Sequence, residues 1–217
     1  MGKAAVLVKG ISYARDYRCG VNYLNCIKNF KTHIIDPLIR LGWEVDVFIA
    51  TYLMDGLDKE KMIADYGAKG AIFLPFEGSC QKTTLYKGLE SIVETGVGYN
   101  NVIVLRFDIE LKTPIDRTNI DWGKINFSWR ETERYWRLQK RVGDIVTIIP
   151  YKFIEVYMKG LLQFSASENI HRIYSGLASL LGDGNECMGE GHIHFICEDG
   201  FYDSARDNPL YNIVRGC

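Results

Sequence analysis

The chain has 217 residues, 47% hydrophobic and 24% charged, enough for a sizeable buried core in one large domain or two small ones. Lys and Arg number 26 against 27 Asp and Glu, a net charge of −1, which argues against a general nucleic-acid binder because that needs a basic excess or a basic stripe. Six cysteines with no CxxC pair read as reduced thiols in a cytoplasmic protein, and the sequence shows no signal peptide, no myristoylation pattern and no run near the roughly 20 apolar residues of a membrane span.

AAVLV (4–8) is a short apolar run, read as a buried strand closed by Lys9 and Gly10. After a polar loop, apolar residues at 24, 27, 30, 34, 35, 38 and 41 follow a helical period up to Gly42, with Pro37 either kinking the helix or dividing it in two. WEVDVFIATY (43–52) predicts a second strand, DKEKMIADYGA (58–68) a short helix ended by Gly67, and AIFLPF (71–76) a third strand. TTLYKGLESIVETG (83–96) predicts another helix, and NVIVLRFDIEL (101–111) a fourth strand that runs from apolar residues into Arg106, Asp108 and Glu110 on one face.

Strand alternating with helix over about 110 residues predicts an α/β fold with a mainly parallel central sheet flanked by helices. Such sheets bind ligands beyond the carboxyl ends of their strands, so the tips of strands one and four are where a ligand is to be sought. The second half is less regular: strands over 124–130 and 144–153, helices over 153–164 and 168–182 (Ser167 as N-cap), a glycine-rich loop at 182–191, then HIHFICEDG (192–200). No repeat or linker divides the chain, so 1–217 reads as a single domain, regular over 1–111 and less regular over 112–217.

GxGxxG, the Walker pattern, GxSxG and HExxH are all missing, which counts against a dinucleotide dehydrogenase, a P-loop NTPase, a serine hydrolase and a zincin. Asp108 and Glu110, two residues apart at a strand tip, can hold one hard cation such as Mn²⁺ or Mg²⁺, which takes oxygen ligands and shares them with substrate phosphates; the alternative is a solvated, salt-bridged strand face. Arg106 suits a ribose, base or phosphate edge, or simply pairs with Asp108. His192 and His194 alternate on a short strand, where a neutral imidazole can complete a metal shell or be a plain strand histidine; His33 and His171 lie within helices and read as structural. Trp122, Trp129, Tyr135 and Trp136 are candidates for a sugar platform or for core. Glu131 and Glu133 are candidate acceptor contacts or charged loop residues, and Asp121 a candidate base.

Taken together, VIVLRFDIE after an apolar strand, VKGIS at the first tip and the late HIH stretch resemble a GT-A type glycosyltransferase, with Glu110 standing where the D-x-D triplet has its second aspartate. More narrowly, the chain looks like the N-terminal glycosyltransferase domains of chlorella-virus proteins that assemble capsid glycans, which would place it in a host cytoplasm. The resemblance implies a UDP-sugar donor, Mn²⁺, a glycan acceptor and transfer of a sugar such as L-rhamnose or glucose, with retention if a UDP-β-L-rhamnose donor gives a β-linked product. It implies a nucleotide-binding half over 1–111 and an acceptor-side half over 112–217, with the donor at the first strand tip, Lys9, Gly10, Ile11 and Ser12, and the metal on Asp108 and Glu110 with His192 or His194. Arg15, Arg106, Phe107 and Asp108 are further donor candidates, and Asp108, Asp121 and Glu131 the catalytic candidates, read from the residues themselves. A sugar-nucleotide nucleotidyltransferase is the rival, although VKGISYARDYR lacks its GxGTRxxP loop; a non-catalytic UDP- or sugar-binding module is another. The expectation extends to further domains in a longer chain.

Overall fold

The computed structural model describes residues 2–14, 20–163, 170–182, 191–198, 200–203 and 208–214. β1 (Gly2–Gly10) is buried on both faces from Ala4 to Lys9, as a central parallel strand must be. The loop beyond it carries a two-residue ladder, β2 (Tyr13–Ala14) with β3 (Val21–Asn22). A helical stretch follows as α1 (Ile27–Phe30), a wide π-type turn (Lys31–Ile35) and α2 (Asp36–Arg40). Pro37 therefore does not break the helix. The wide turn lies directly ahead of it, where the proline ring and its missing N–H disturb regular α bonding.

β4 (Trp43–Leu53) leads to α3 (Lys59–Tyr66), which starts where the Asp58 carboxylate accepts from the Lys61 N–H and ends at Gly67 in the left-handed region. β5 (Ala68–Pro75), α4 (Gln81–Glu94) and β6 (Asn101–Arg106) complete the regular half. The expected fourth strand is not continuous. β6 stops at Arg106, Phe107–Asp108 form a turn, and β7 (Ile109–Leu111) leaves to pair with β13 (Tyr211–Ile213). The second half supplies β8 (Ile125–Phe127), β9 (Arg130–Glu131), α5 (Glu133–Gln139), β10 (Val146–Pro150), α6 (Ile154–Leu162), α7 (Ile173–Leu181), β11 (Ile193–Phe195) and β12 (Phe201–Tyr202). The predicted Ser167 cap and most of the glycine-rich loop lie outside the described residues.

The central sheet has seven strands in the order β11-β8-β10-β6-β1-β4-β5, all parallel except β10. This is the α/β architecture the alternation predicts. One face packs on α1, α2 and α3 through Phe30, Ile34, Leu38, Met62 and Tyr66. The other packs on α4, α6 and α7 through Leu85, Leu89, Tyr157, Leu161 and Leu177. α4 sits so close to the sheet that a Cβ on Gly88 would lie 2.7 Å from the Leu7 methyls and 3.0 Å from Cβ of Ala50. Among the described residues no helix is long and apolar enough to cross a membrane.

Candidate functional site

Lys9 and Arg106 are register partners on adjacent parallel strands, one at the end of β1 and the other closing β6. Equal register on parallel strands puts both side chains on one face, and both emerge at the carboxyl edge of the sheet. There they border a cavity of about 320 Å³, within the range of small-molecule sites. Gly10 and Ile11 form its rim and Asp108 faces it from the turn after β6. Gly10 holds φ +106, a conformation that only glycine adopts readily, and so lets the chain turn off the strand at the cavity edge.

Two further walls come from the neighbouring strands. Tyr52, near the end of β4, meets Phe76, just past β5, edge to face at 5.5 Å. Ser79, Cys80 and Gln81 bring the N-terminus of α4 to the same space. Cys80 caps that helix, its sulfur 3.3 Å from the Thr83 hydroxyl. Burial raises its thiol, but hydrogen bonds from Thr83 and from the Thr83 and Lys82 backbone prevail and leave it below the usual cysteine value.

Behind the cavity the charges are interlocked. The Arg106 guanidinium grips Asp108 as a fork, Nε to Oδ1 at 2.8 Å and Nη2 to Oδ2 at 2.7 Å. Its Nη1 lies 3.6 Å from Asp144, which also takes the Lys9 ammonium at 3.4 Å. Asp144 is reached in turn by His171 Nε2 at 3.6 Å, while Nδ1 of that histidine lies 3.0 Å from Glu131 and 2.7 Å from the Val142 carbonyl. Arg141 Nε approaches the other Glu131 oxygen at 2.7 Å.

These contacts decide protonation. Burial alone would raise Asp144, but His171, Lys9 and Arg106 hold it far below the ordinary carboxylate range. Burial likewise pushes His171 down, yet Asp144 and Glu131 outweigh it and raise the imidazole above its usual value. Lys9 is pushed below the ordinary lysine value, by burial first and by Arg106 as well, against the pull of Asp144. For Arg106, Asp144 and Asp108 more than offset burial, so it stays charged.

Of the residues singled out from the sequence, Lys9, Gly10, Ile11, Arg106 and Asp108 share this cavity. Ser12 does not line it; the buried hydroxyl is 2.8 Å from that of Thr51 and pins the loop after β1. Phe107 points into the other face of the sheet, against Tyr66. Arg15 lies outside the described residues. Glu110 sits on β7 opposite Asn212, away from the cavity lining.

His194 is on the edge strand β11, three strand spacings from β6, roughly 14 Å at about 4.8 Å each. His192 precedes that strand and so lies at the amino end of the sheet, its ring 5.2 Å from that of Phe153. Asp121 is also at that end, before β8, closing a turn by accepting from the Gly123 N–H. Glu131 is buried in its pairing with Arg141 and His171 rather than solvated in a loop, whereas Glu133 is exposed in the first turn of α5.

The four aromatics do not form one platform. Trp129 is fully buried and stacked on Tyr211; Trp122 packs on Trp43, Trp136 on Tyr174 and Phe195, and Tyr135 under the Arg141 guanidinium. Asp144 and His171 were not picked out as site residues, and neither were Tyr52, Phe76 and Cys80. The acid just ahead of an apolar strand at 144–150 was the available signal for Asp144.

No protein-family model matches the chain. No curated protein matches it. Among solved structures, a mutant of Drosophila β1,4-galactosyltransferase 7 in complex with manganese, UDP-Gal and xylobiose is similar at 9% identity, covering 98% of this chain and 71% of that one with a TM-score of 0.48. A nucleoside-diphosphate-sugar pyrophosphorylase of Vibrio cholerae is similar at 11% identity, covering 89% and 90% with a TM-score of 0.48. The galactosyltransferase LgtC, in complex with donor and acceptor sugar analogues, is similar at 16% identity, covering 80% and 70% with a TM-score of 0.45.

Proposed function

We propose that the cavity binds a UDP-sugar and that the chain transfers the sugar to a glycan hydroxyl. The observation that carries this reading is the pairing of a buried and a half-buried cation, Lys9 and Arg106, with one carboxylate, Asp108, at the carboxyl edge of adjacent parallel strands, facing a cavity with an aromatic wall. The aromatic pair Tyr52 and Phe76 offers a stacking surface for a base. Lys9, Arg106 and the N-terminus of α4 offer positive potential to a diphosphate.

Asp108 fits a divalent ion in one particular way. Among the described residues no group of three or more His, Cys, Asp or Glu side chains is placed to cage a metal. Mg²⁺ and Mn²⁺ do not require a cage, since one or two carboxylates with substrate phosphates and water suffice. Asp108 supplies one such carboxylate at the cavity wall. Bound there, Mn²⁺ or Mg²⁺ would supply charge that offsets the negative charge growing on the leaving diphosphate.

The reading includes retention. Asp108 is the one carboxylate lining the cavity among the described residues, while Asp121 and Glu131 stand elsewhere; retention is proposed because a UDP-β-L-rhamnose donor giving a β-linked product keeps the anomeric configuration. In the retaining course the acceptor oxygen bonds to the anomeric carbon as the bond to the β-phosphate oxygen breaks, and that phosphate takes the acceptor proton. L-Rhamnose and glucose are the sugars proposed.

The test is calorimetric titration of UDP with and without Mn²⁺ on the wild type and on Asp108→Ala, followed by a screen of UDP-sugars for transfer. Binding of UDP that needs Mn²⁺ and Asp108 supports the reading. No binding of UDP under either condition refutes it, and binding without any hydrolysis or transfer of a donor reduces the chain to a binding module.

A further inference from the structure

The Arg106–Asp108 fork occupies both oxygens of the carboxylate at the cavity wall. We propose that Arg106 is a built-in competitor for the divalent ion, so that metal and nucleoside diphosphate enter this site together and neither binds well alone. The inference rests on the UDP-sugar reading above and concerns how that site is loaded.

The fork follows from local geometry. Residues 106 and 108 would point the same way on a continuous strand, but β6 ends at Arg106 and the turn at Phe107–Asp108 folds the carboxylate back onto the guanidinium. Asp108 is only 7% exposed, and a bidentate charged pair at low local dielectric is strong. Arg106 is tethered on its other side as well, with Nη1 3.6 Å from Asp144. On leaving Asp108 it can therefore turn toward a ligand in the cavity without losing its anchor.

Charge counting gives the coupling. In the closed arrangement Lys9, Arg106 and His171 face Asp108, Asp144 and Glu131. A divalent ion arriving alone must displace the guanidinium, which is left with an Asp144 already shared with Lys9 and His171. A diphosphate arriving alone must compete with Asp108 for Arg106 while lying beside the negative charge of that carboxylate. When the two arrive together, phosphate takes the guanidinium and the ion takes the carboxylate. Each group then exchanges one partner for another, and no buried charge is stranded. Linkage requires the effect to be mutual: UDP must tighten the ion by the same factor as the ion tightens UDP.

The experiment follows free Mn²⁺ by its paramagnetic resonance signal, with and without UDP, each read against a protein-free titration of Mn²⁺ with UDP, beside calorimetry of UDP with and without Mn²⁺. It uses the wild type, Arg106→Gln and Arg106→Lys, each checked for folding by circular dichroism. In the wild type, Mn²⁺ alone is expected to bind at least about tenfold more weakly than with UDP, inside the usual span of coupled sites. Arg106→Gln should bind Mn²⁺ alone more tightly than the wild type and show a smaller coupling, the remainder coming from the phosphate oxygens that the ion takes as ligands.

Should Arg106→Gln not fold, Arg106→Lys keeps the charge without the fork and must show the same rise in affinity for Mn²⁺ alone. Wild type that binds Mn²⁺ equally with and without UDP overturns the inference while leaving the UDP site standing. So does a folded variant with no gain in affinity for the ion. If UDP binds under neither condition, the site reading itself falls and this inference falls with it.

Discussion

Replacing Asp144 with Asn tests the buried charge network most directly. The carboxylate is 8% exposed and sits between Lys9 at 3.4 Å, Arg106 at 3.6 Å and His171 at 3.6 Å. Removing its charge leaves cations facing one another in a poorly solvated space, and breaking a buried pair on one side typically costs about 3–5 kcal/mol. For a domain of this size each kcal/mol moves the melting temperature by about 2–4 °C, so a drop of roughly 6–20 °C is expected.

Thermal melts followed by circular dichroism and urea titrations on the two proteins measure it. A double variant, Lys9→Met with Asp144→Leu, should recover part of the loss, because it removes Lys9 together with its partner while Arg106 and His171 still lose their carboxylate. Lys9 is part of the proposed ligand site, so that recovery is read as stability and not as binding. An Asp144→Asn melt within about 1 °C of the wild type would refute the reasoning, since its change of about 0.5 kcal/mol or less is what an exposed pair gives.

Three further outcomes are expected. The raised pKa of His171 means its stabilising contacts are fully present below the unfolded histidine value of about 6.5 and fade as pH rises through the higher folded value. The stability gap between wild type and His171→Gln, measured by urea titration from pH 5 to 9, should therefore be largest in acid and shrink with alkali; a gap that widens with pH contradicts the assignment. Gly88→Ala should destabilise despite alanine's helix preference of about 1 kcal/mol, because the new Cβ meets Ala50 and Leu7 and overpacking costs about 1–3 kcal/mol; chemical denaturation showing a stabilised variant would contradict it. Phe76→Ala, at a side chain 41% exposed, should leave the melt nearly unchanged and weaken UDP by about 5- to 150-fold, the span of one lost base–aromatic stack. Equal affinity in the UDP titration would remove Phe76 from the nucleobase wall.

The alternation of apolar runs and helical periods from Ala4 to Leu105 was enough to set the α/β class, because burial on both faces imposes continuous apolar strands and amphipathic helices that are legible locally. That Lys9, Gly10, Ile11, Arg106 and Asp108 share one cavity was legible for a related reason: they end or follow parallel strands, whose carboxyl ends share one edge. Strand direction in the second half was not legible, and it decided the rest.

β10 runs antiparallel, so Asp144, ahead of its first residue, arrives at the same edge as Arg106. β11 runs parallel, so His192, ahead of its first residue, lies at the opposite edge. An apolar run of five residues reads the same in either direction. Only pairing with distant strands chooses between them. That choice brought His171 to the charge network through Asp144 and placed His192 and His194 away from Asp108.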